Sequence, residues 1–168
     1  MDGVTDAPMR ALTSEIGGFA FCVTEFLRVS QSVPGPRVFR DHLPGVANGC
    51  RTRAGLPVQI QLLGGHPYRL AQAALVAVQV GAQSVDLNFG CPAPTVNRHD
   101  GGAVLLNHPD RIRAIVKAVR AALPKEILLS AKLRTWGWRE ERRKAVAFLP
   151  SPWGVRGRQR RTTFVRSG

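Results

Sequence analysis

The sequence lacks any long uncharged apolar segment and contains few cysteines. No stretch of its 168 residues approaches the ~20 apolar residues that cross a bilayer. The opening Met1-Asp2-Gly3 carries an acid where a secretory signal carries positive charge. We therefore expect a cytoplasmic protein with no membrane span. The three cysteines are odd in number and widely separated, which fits neither a disulfide framework nor a zinc site of paired Cys-x-x-Cys motifs. Free thiols and no bound metal are expected.

Acidic residues are also scarce, at 11 against 24 Lys and Arg, which gives a formal charge of +13. Such an excess is typical of proteins that bind polyanions, because Lys and Arg release counterions from phosphates. Eight of the basic residues, however, lie in the last 28 positions beside a single acid. The remainder is mildly basic, and its charge fits a solvated surface as well as it fits RNA binding.

Apolar, β-rich runs alternate with helical patterns along the first 134 residues. Strands are predicted at residues 19–25, 58–63, 84–89 and 127–133. Helices are predicted at residues 67–80 and 109–123, the second starting at Pro109-Asp110 and stopped by Pro124. Strands separated by helices pair in parallel, because parallel neighbours need a crossover connection.

A parallel sheet of this kind is either open or closed into a barrel. No Gly-x-Gly-x-x-Gly follows the first strand, so the dinucleotide-binding open sheet loses its main support. Polar and reactive residues instead fall at the predicted carboxyl ends of successive strands, where a (β/α)8 barrel gathers its active site. They are Glu25, Gln61, Asn88, Cys91, Lys132 and Arg134. A full barrel needs roughly 250 residues and eight strands. The sequence therefore predicts an α/β fold that is a partial TIM barrel, about half of one.

The last thirty residues differ in character from the rest. Residues 139–168 have high like charge and no sustained apolar period, which predicts an irregular, disordered tail rather than a packed element. We therefore divide the chain into a barrel domain, residues 1–138, and a basic tail, residues 139–168. Two interpretations of the tail stand: an RNA-binding extension, or a segment translated out of frame.

The most informative segment is Asp86-Leu-Asn-Phe-Gly-Cys-Pro92, followed by Gly101-Gly-Ala-Val-Leu-Leu106. With Met1–Asp6, Thr24–Phe26, Val58–Gly64 and Ala131–Arg134, it resembles the motif set of the tRNA-dihydrouridine synthases over about residues 1–138. The resemblance implies a TIM barrel that binds FMN, takes electrons from NADPH and reduces uridine to 5,6-dihydrouridine in the D-loop of tRNA.

Cys91 is the predicted catalytic residue. It lies between Gly90 and Pro92 just past a strand end, on a turn that faces the barrel mouth. Reduction of the uracil C5=C6 bond takes a hydride at C6 and a proton at C5, and a thiol of ordinary acidity is mostly protonated near neutral pH. The family resemblance gives the cysteine at this position that role. Cys22 inside a strand and Cys50 in a loop have no such setting.

Three residues are predicted to contact the substrate. The Asn88 amide offers both donors and an acceptor, which complements the Watson–Crick edge of uracil, and the resemblance places it on the base. Arg134 points the same way as Lys132 and could meet the RNA. Arg28 resembles a substrate-orienting position in the bacterial class C branch, which modifies position 16 of the D-loop.

Five residues are predicted to contact the flavin. The resemblance maps FMN contacts onto Met1, Asp2, Gly3, Gln61 and Lys132. A cation at Lys132 would stabilise negative charge on the N1–C2=O side of reduced FMN. The alternatives are a Gln59 or Gln61 on a solvated edge and a Lys132 that extends to water.

Several parts of the family pattern have no counterpart in the sequence. These are the first barrel strand, a downstream His, the two Gly-rich loops that hold the FMN phosphate, and the helical tRNA-binding domain. We therefore expect the 168-residue chain alone to bind FMN poorly and to reduce no uridine. The alternatives are a small-molecule FMN enzyme, a non-catalytic basic RNA-binding fragment, and an inactive remnant.

Overall fold

A computed structural model describes residues 6–98 and 101–134, together with the backbone of residues 153–159 and 162–167. The first element is helix α1, Ala7–Ile16, which Asp6 caps by accepting a hydrogen bond from the Met9 N–H at 2.8 Å. Gly17 and Gly18 follow with positive φ angles of 78° and 81° and turn the chain into the first strand.

Four parallel strands form the centre of the fold: β1, Cys22–Arg28; β2, Val58–Leu63; β3, Ser84–Phe89; and β4, Leu128–Arg134. They lie side by side in chain order, so each strand pairs with the next one along the sequence. Helices connect them: α2, Pro36–His42; α3, Pro67–Val80; and α5, Pro109–Ala122, with the short α4, Pro94–Asn97, after β3. Two 3₁₀ helices, Pro44–Asn48 and Gly102–Asn107, complete the connections. This is the α/β pattern of a partial TIM barrel, as predicted.

The apolar core lies between one face of the sheet and helices α3 and α5. Strand side chains such as Ile60, Leu87 and Leu129 are at most 1% exposed and form one cluster with the buried helix residues. From α3 the cluster takes Leu70, Ala73, Ala74 and Ala77, and from α5 it takes Ile112, Ile115, Val116 and Val119. The small side chains Ala73, Ala74 and Ala77 allow α3 to pack closely in this cluster.

The predicted element boundaries match closely with one exception. β2, β3 and α3 have the predicted limits, β4 lies one residue later at both ends, and α5 ends one residue earlier. The first strand was predicted at residues 19–25 but runs over Cys22–Arg28. It starts where the Cys22 N–H donates to Pro57 O at 2.9 Å, so its partner strand sets its limits, while Phe19 is 53% exposed. A bulge at Thr24 and Glu25 then interrupts its pairing with β2.

The prediction of an irregular tail is wrong for two segments. Residues Trp153–Gln159 and Thr162–Ser167 form strands β5 and β6, which pair antiparallel with each other, and β6 pairs antiparallel with β4. The free N–H and C=O groups along the edge of β4 offer hydrogen bonds that any extended segment can take, and Thr162-Thr-Phe-Val165 favours extended structure. Residues 135–152, and the predicted boundary at 138, lie outside the described residues.

Candidate functional site

A cavity of about 520 Å³ opens at the carboxyl ends of the strands. Its wall brings together five of the side chains that the sequence singled out: Arg28, Asn88, Cys91, Lys132 and Arg134. They come from three strands and one loop, and Asn88 and Lys132 are direct register partners on β3 and β4. Phe26, which the sequence analysis did not assign, adds an aromatic surface to the same wall.

The backbone at Cys91 is held by the loop that follows it. The Ala103 N–H donates to Cys91 O at 2.8 Å, and Asn97 ties the turn to the same loop by donating to Pro92 O at 3.1 Å and accepting from the Val104 N–H at 3.3 Å. Gly102 packs so closely that a Cβ there would lie 2.5 Å from Cys91 O. The backbone position of Cys91 is therefore fixed, and its half-buried side chain lies on the cavity wall.

Asn88 presents a fixed amide to the cavity. Its Oδ1 accepts from the Gly90 N–H at 2.9 Å, and its Nδ2 donates to Gln61 Oε1 at 2.8 Å. The residue is 2% exposed. An amide has two donor hydrogens and two acceptor lone pairs, so one of each is left for a ligand.

Behind Asn88 lies a polar network that the sequence analysis did not identify. Gln61 Nε2 donates to Asp86 Oδ2 at 2.7 Å, and Ser130 Oγ donates to Asp86 Oδ1 at 2.6 Å, with Gln59 Oε1 2.9 Å from the same hydroxyl. Gln61, Asp86 and Ser130 are direct register partners across β2, β3 and β4. Polar residues at every second position of otherwise apolar strands were the available signal, but the register that joins them is not visible in the sequence.

Burial changes the titration of two charged groups at this site. Loss of solvent raises the pKa of Asp86 from 3.8 to about 6, although hydrogen bonds from Ser130 and Gln61 and the charge of Lys132 oppose that shift. Burial also lowers the pKa of Lys132, while attraction to Asp86 and Cys91 raises it and repulsion from Arg134 lowers it. The acid and the lysine therefore stabilise each other's charged forms beside the cavity.

Two arginines border the cavity in different ways. Arg134 is half-buried, and its Nε donates to Gly90 O at 3.1 Å, which ties β4 to the turn before Cys91. Arg28 is exposed, and its guanidinium donates to Thr95 O at 3.3 Å across the cavity mouth. Arg134 thus supports the turn as well as lining the wall, whereas Arg28 lies at the rim.

Not every predicted residue reaches the cavity. Gln61 is 1% exposed and lies behind Asn88 rather than on the wall. Met1, Asp2 and Gly3 lie outside the described residues. Glu25 pairs instead with Arg10 of α1 at 2.5 Å. The cysteines Cys22, Cys50 and Cys91 are all free thiols.

The cavity wall carries a group that a flavin ring requires. Lys132 lines the cavity and can carry positive charge there, as the anionic side of a reduced flavin would need. Gln61 keeps one N–H and one lone pair after its two hydrogen bonds, but it lies behind Asn88 and not on the wall. Of the predicted flavin contacts in the described residues, Lys132 therefore fits a flavin ring and Gln61 does not reach it.

Metal-binding clusters and membrane-spanning helices are both absent from the described residues. In ranges 6–98 and 101–134 there is no group of three or more His, Cys, Asp or Glu side chains arranged to hold a metal ion. No helix within the described part of the chain is long and apolar enough to cross a membrane.

The chain matches one family model and several proteins that share a name. The family model for dihydrouridine synthase (Dus) matches residues 1–151. The tRNA-dihydrouridine(16) synthase of Neisseria meningitidis serogroup B is 48% identical over 134 residues, which cover 80% of this chain and 40% of that protein. The proteins of the same name from Vibrio vulnificus and Vibrio cholerae are 50% and 46% identical, over 82% and 83% of this chain and 43% of each relative. The chain thus spans about two fifths of the length of these relatives. It belongs to the dihydrouridine synthase family.

Proposed function

We propose that this chain forms part of the active site of an enzyme that reduces uridine to 5,6-dihydrouridine in the D-loop of tRNA, with FMN as cofactor and NADPH as reductant. The observation that carries the proposal is the placement of the Cys91 thiol and the Asn88 amide on one cavity wall at the carboxyl ends of the strands. A small-molecule FMN enzyme is a poorer match, because the motifs, the family model and the named relatives all belong to dihydrouridine synthases.

In this proposal Cys91 is the general acid. Its Sγ–H bond breaks, the proton forms the new C5–H bond of uracil, and the sulfur is left as a thiolate. C6 would receive a hydride, which is the chemistry that FMN reduced by NADPH would supply when bound at this wall. Uridine, NADPH and one proton thus give dihydrouridine and NADP⁺. The turn held by Gly102 and Asn97 keeps the thiol at the cavity while the base enters.

The other wall residues position the reactants. Asn88 has one amide hydrogen and one oxygen lone pair left for the base edge, which match a uracil carbonyl and the N3–H. Lys132, with Met1, Asp2 and Gly3, contacts the flavin, while Gln61 supports Asn88 from behind the wall. Arg28 at the rim and Arg134 on the wall contact the tRNA, whose phosphates and bases are the anionic and planar groups that guanidinium binds. Similarity to relatives named for position 16 points to that uridine as the target.

The direct test is a fusion in which the 134 matching residues of the Neisseria meningitidis relative are replaced by those of this chain. Incubated with FMN, NADPH and an unmodified tRNA transcript, the fusion is expected to add the mass of two hydrogen atoms to one D-loop nucleotide. The 168-residue chain is assayed in parallel and is expected to leave the tRNA unmodified. A folded, flavin-bound fusion that leaves the tRNA unchanged would contradict the proposal.

A further inference from the structure

The hydrogen bonds behind the cavity form a chain with a single direction. It runs from the Gly90 N–H to Asn88 Oδ1, from Asn88 Nδ2 to Gln61 Oε1, and from Gln61 Nε2 to Asp86 Oδ2. The distances are 2.9, 2.8 and 2.7 Å. We refer to Gly90, Asn88, Gln61 and Asp86 as the polar relay.

The two ends of the polar relay determine its direction. The Gly90 N–H can only donate, and an ionised Asp86 carboxylate can only accept. The two amides between them could each be turned end for end, but any other orientation would place two donors or two acceptors against each other. The three side chains are buried, with Asp86, Gln61 and Asn88 at 0%, 1% and 2% exposure, so water cannot relieve such a mismatch.

The far side of Asp86 supports the same direction. Ser130 Oγ donates to Asp86 Oδ1 at 2.6 Å, so both carboxylate oxygens accept hydrogen bonds. Lys132 adds a positive charge close enough to stabilise the carboxylate. In the described ranges no buried side-chain nitrogen or oxygen lacks a hydrogen-bond partner.

We propose that Asp86 is a positioning residue that fixes, through Gln61, which end of the Asn88 amide is nitrogen and which is oxygen at the cavity wall. Uracil presents a carbonyl acceptor beside the N3–H donor, whereas cytosine presents an amino donor beside the N3 acceptor. A freely turning amide pairs with either base, but an amide of fixed direction pairs with one. The polar relay therefore makes the site selective for uracil over cytosine. Only this last step, the contact between Asn88 and a base, rests on the proposed function.

The polar relay can be tested by reversing it. Asn88→Asp puts an acceptor-only group where Gln61 Oε1 needs a donor, so Gln61 must turn and place its oxygen against Asp86. In the double variant Asp86→Asn/Asn88→Asp, every bond is restored with Gln61 turned. The Gly90 N–H and Gln61 Nε2 then donate to the new carboxylate at position 88, and the new amide at position 86 donates to Gln61 Oε1. The variants are made in the full 168-residue chain, and unfolding is followed in denaturant.

The expected result is strong coupling between the two positions. Asn88→Asp should lower the unfolding midpoint substantially in the wild-type background and by less than roughly half as much in the Asp86→Asn background. The same double-mutant cycle of positions 86 and 88 is then repeated in a Gln61→Met background, which removes the linking amide at similar volume. Only the repulsion between two carboxylates should remain there, so the coupling should be smaller. Equal effects of Asn88→Asp in both backgrounds, or a coupling unchanged by Gln61→Met, would overturn the relay.

Base selectivity is read separately on the same proteins. Uridine 5′-monophosphate and cytidine 5′-monophosphate are titrated into ¹⁵N-labelled chain while the backbone amide signals of Gly90 and Cys91 are followed by NMR. Wild type is expected to show larger shifts with the uracil nucleotide, and the double variant is expected to lose that preference. A preference that persists in the double variant contradicts selectivity by the relay. A wild type without the preference contradicts the base contact in the proposed function, and the unfolding cycle still decides the relay.

Discussion

In the central strands β2 and β3, the two faces of the sheet are equally buried and opposite in chemistry. On the face that packs against the helices, Ile60, Leu87 and Leu129 are 0–1% exposed. On the other face, Gln61 and Asp86 are just as inaccessible, at 1% and 0%. Burial alone therefore does not identify an apolar core, because the polar face is buried as well and its side chains satisfy their hydrogen bonds with one another. Such an arrangement costs stability that an apolar face would not, which marks it as a site.

The largest expected effect comes from breaking the apolar face. Leu87→Ala removes a side chain that is 1% exposed in the main cluster, and the cavity left behind should lower the free energy of unfolding by about 2–5 kcal/mol. Urea denaturation of the 168-residue chain measures this loss. A loss below about 1 kcal/mol would mean that the helices do not pack tightly on this face.

The polar face should instead make the stability of the folded protein depend on pH. Because the pKa of Asp86 is raised from 3.8 to about 6 in the folded state, the favourable contribution of this carboxyl is present below pH 3.8 and is lost as the pH rises through about 6. Asp86→Asn does not titrate at this position and serves as the reference. Relative to it, the free energy of unfolding of wild type should fall by up to about 3 kcal/mol between pH 4 and pH 7. The charged neighbours Lys132, Arg134 and Cys91 are common to both proteins. A stability difference that is flat or that rises with pH would refute the prediction.

A smaller effect is expected where a loop contacts the Cys91 turn. Gly102 has a φ of 68° and Gly55 a φ of 83°, so alanine at either position should cost about 1–2 kcal/mol of backbone strain. A Cβ at Gly102 also collides with Cys91 O, whereas one at Gly55 meets nothing within 4 Å. Gly102→Ala alone should therefore change the rate at which iodoacetamide alkylates Cys91. Equal alkylation rates in the two variants would show that the loop does not position the thiol.

The smallest effect is expected on the surface, away from both faces. Arg37 and Asp41 form an i,i+4 ion pair at 3.9 Å with side chains 90% and 74% exposed. Asp41→Ala should change the free energy of unfolding by no more than about 0.5 kcal/mol, and less in high salt. A larger loss in the same urea assay would indicate a contact for α2 that the ion pair does not explain.

The sequence predicted the helices and strands better than the pairing between distant strands. Periodicity was enough for α3, β2 and β3, because each has a local pattern with clear stop signals such as Gly81. The limits of β1 and the strands β5 and β6 depend on pairing with distant residues, which no local pattern contains.

The residues of the candidate site also differ in whether a local pattern could predict them. Cys91, Asn88 and Lys132 could be selected from a motif and from their places at strand ends. Asp86 and Ser130 gain their roles only from the cross-strand register that aligns them with Gln61. The predicted contacts of Met1, Asp2 and Gly3 stay predictions, since these residues lie outside the described part of the chain.

The central claim is that Cys91 gives the proton to uracil. The most direct measurement is single-turnover oxidation of the reduced flavin by unmodified tRNA in the fusion protein, comparing Cys91→Ala with Cys22→Ala. Cys22 is a matched half-buried thiol that donates to Pro57 O and lies outside the cavity. Cys91→Ala is expected to keep its flavin spectrum and to slow oxidation by ~10²–10⁴-fold, while Cys22→Ala remains near the wild-type rate. An unchanged rate in flavin-bound Cys91→Ala would contradict the account.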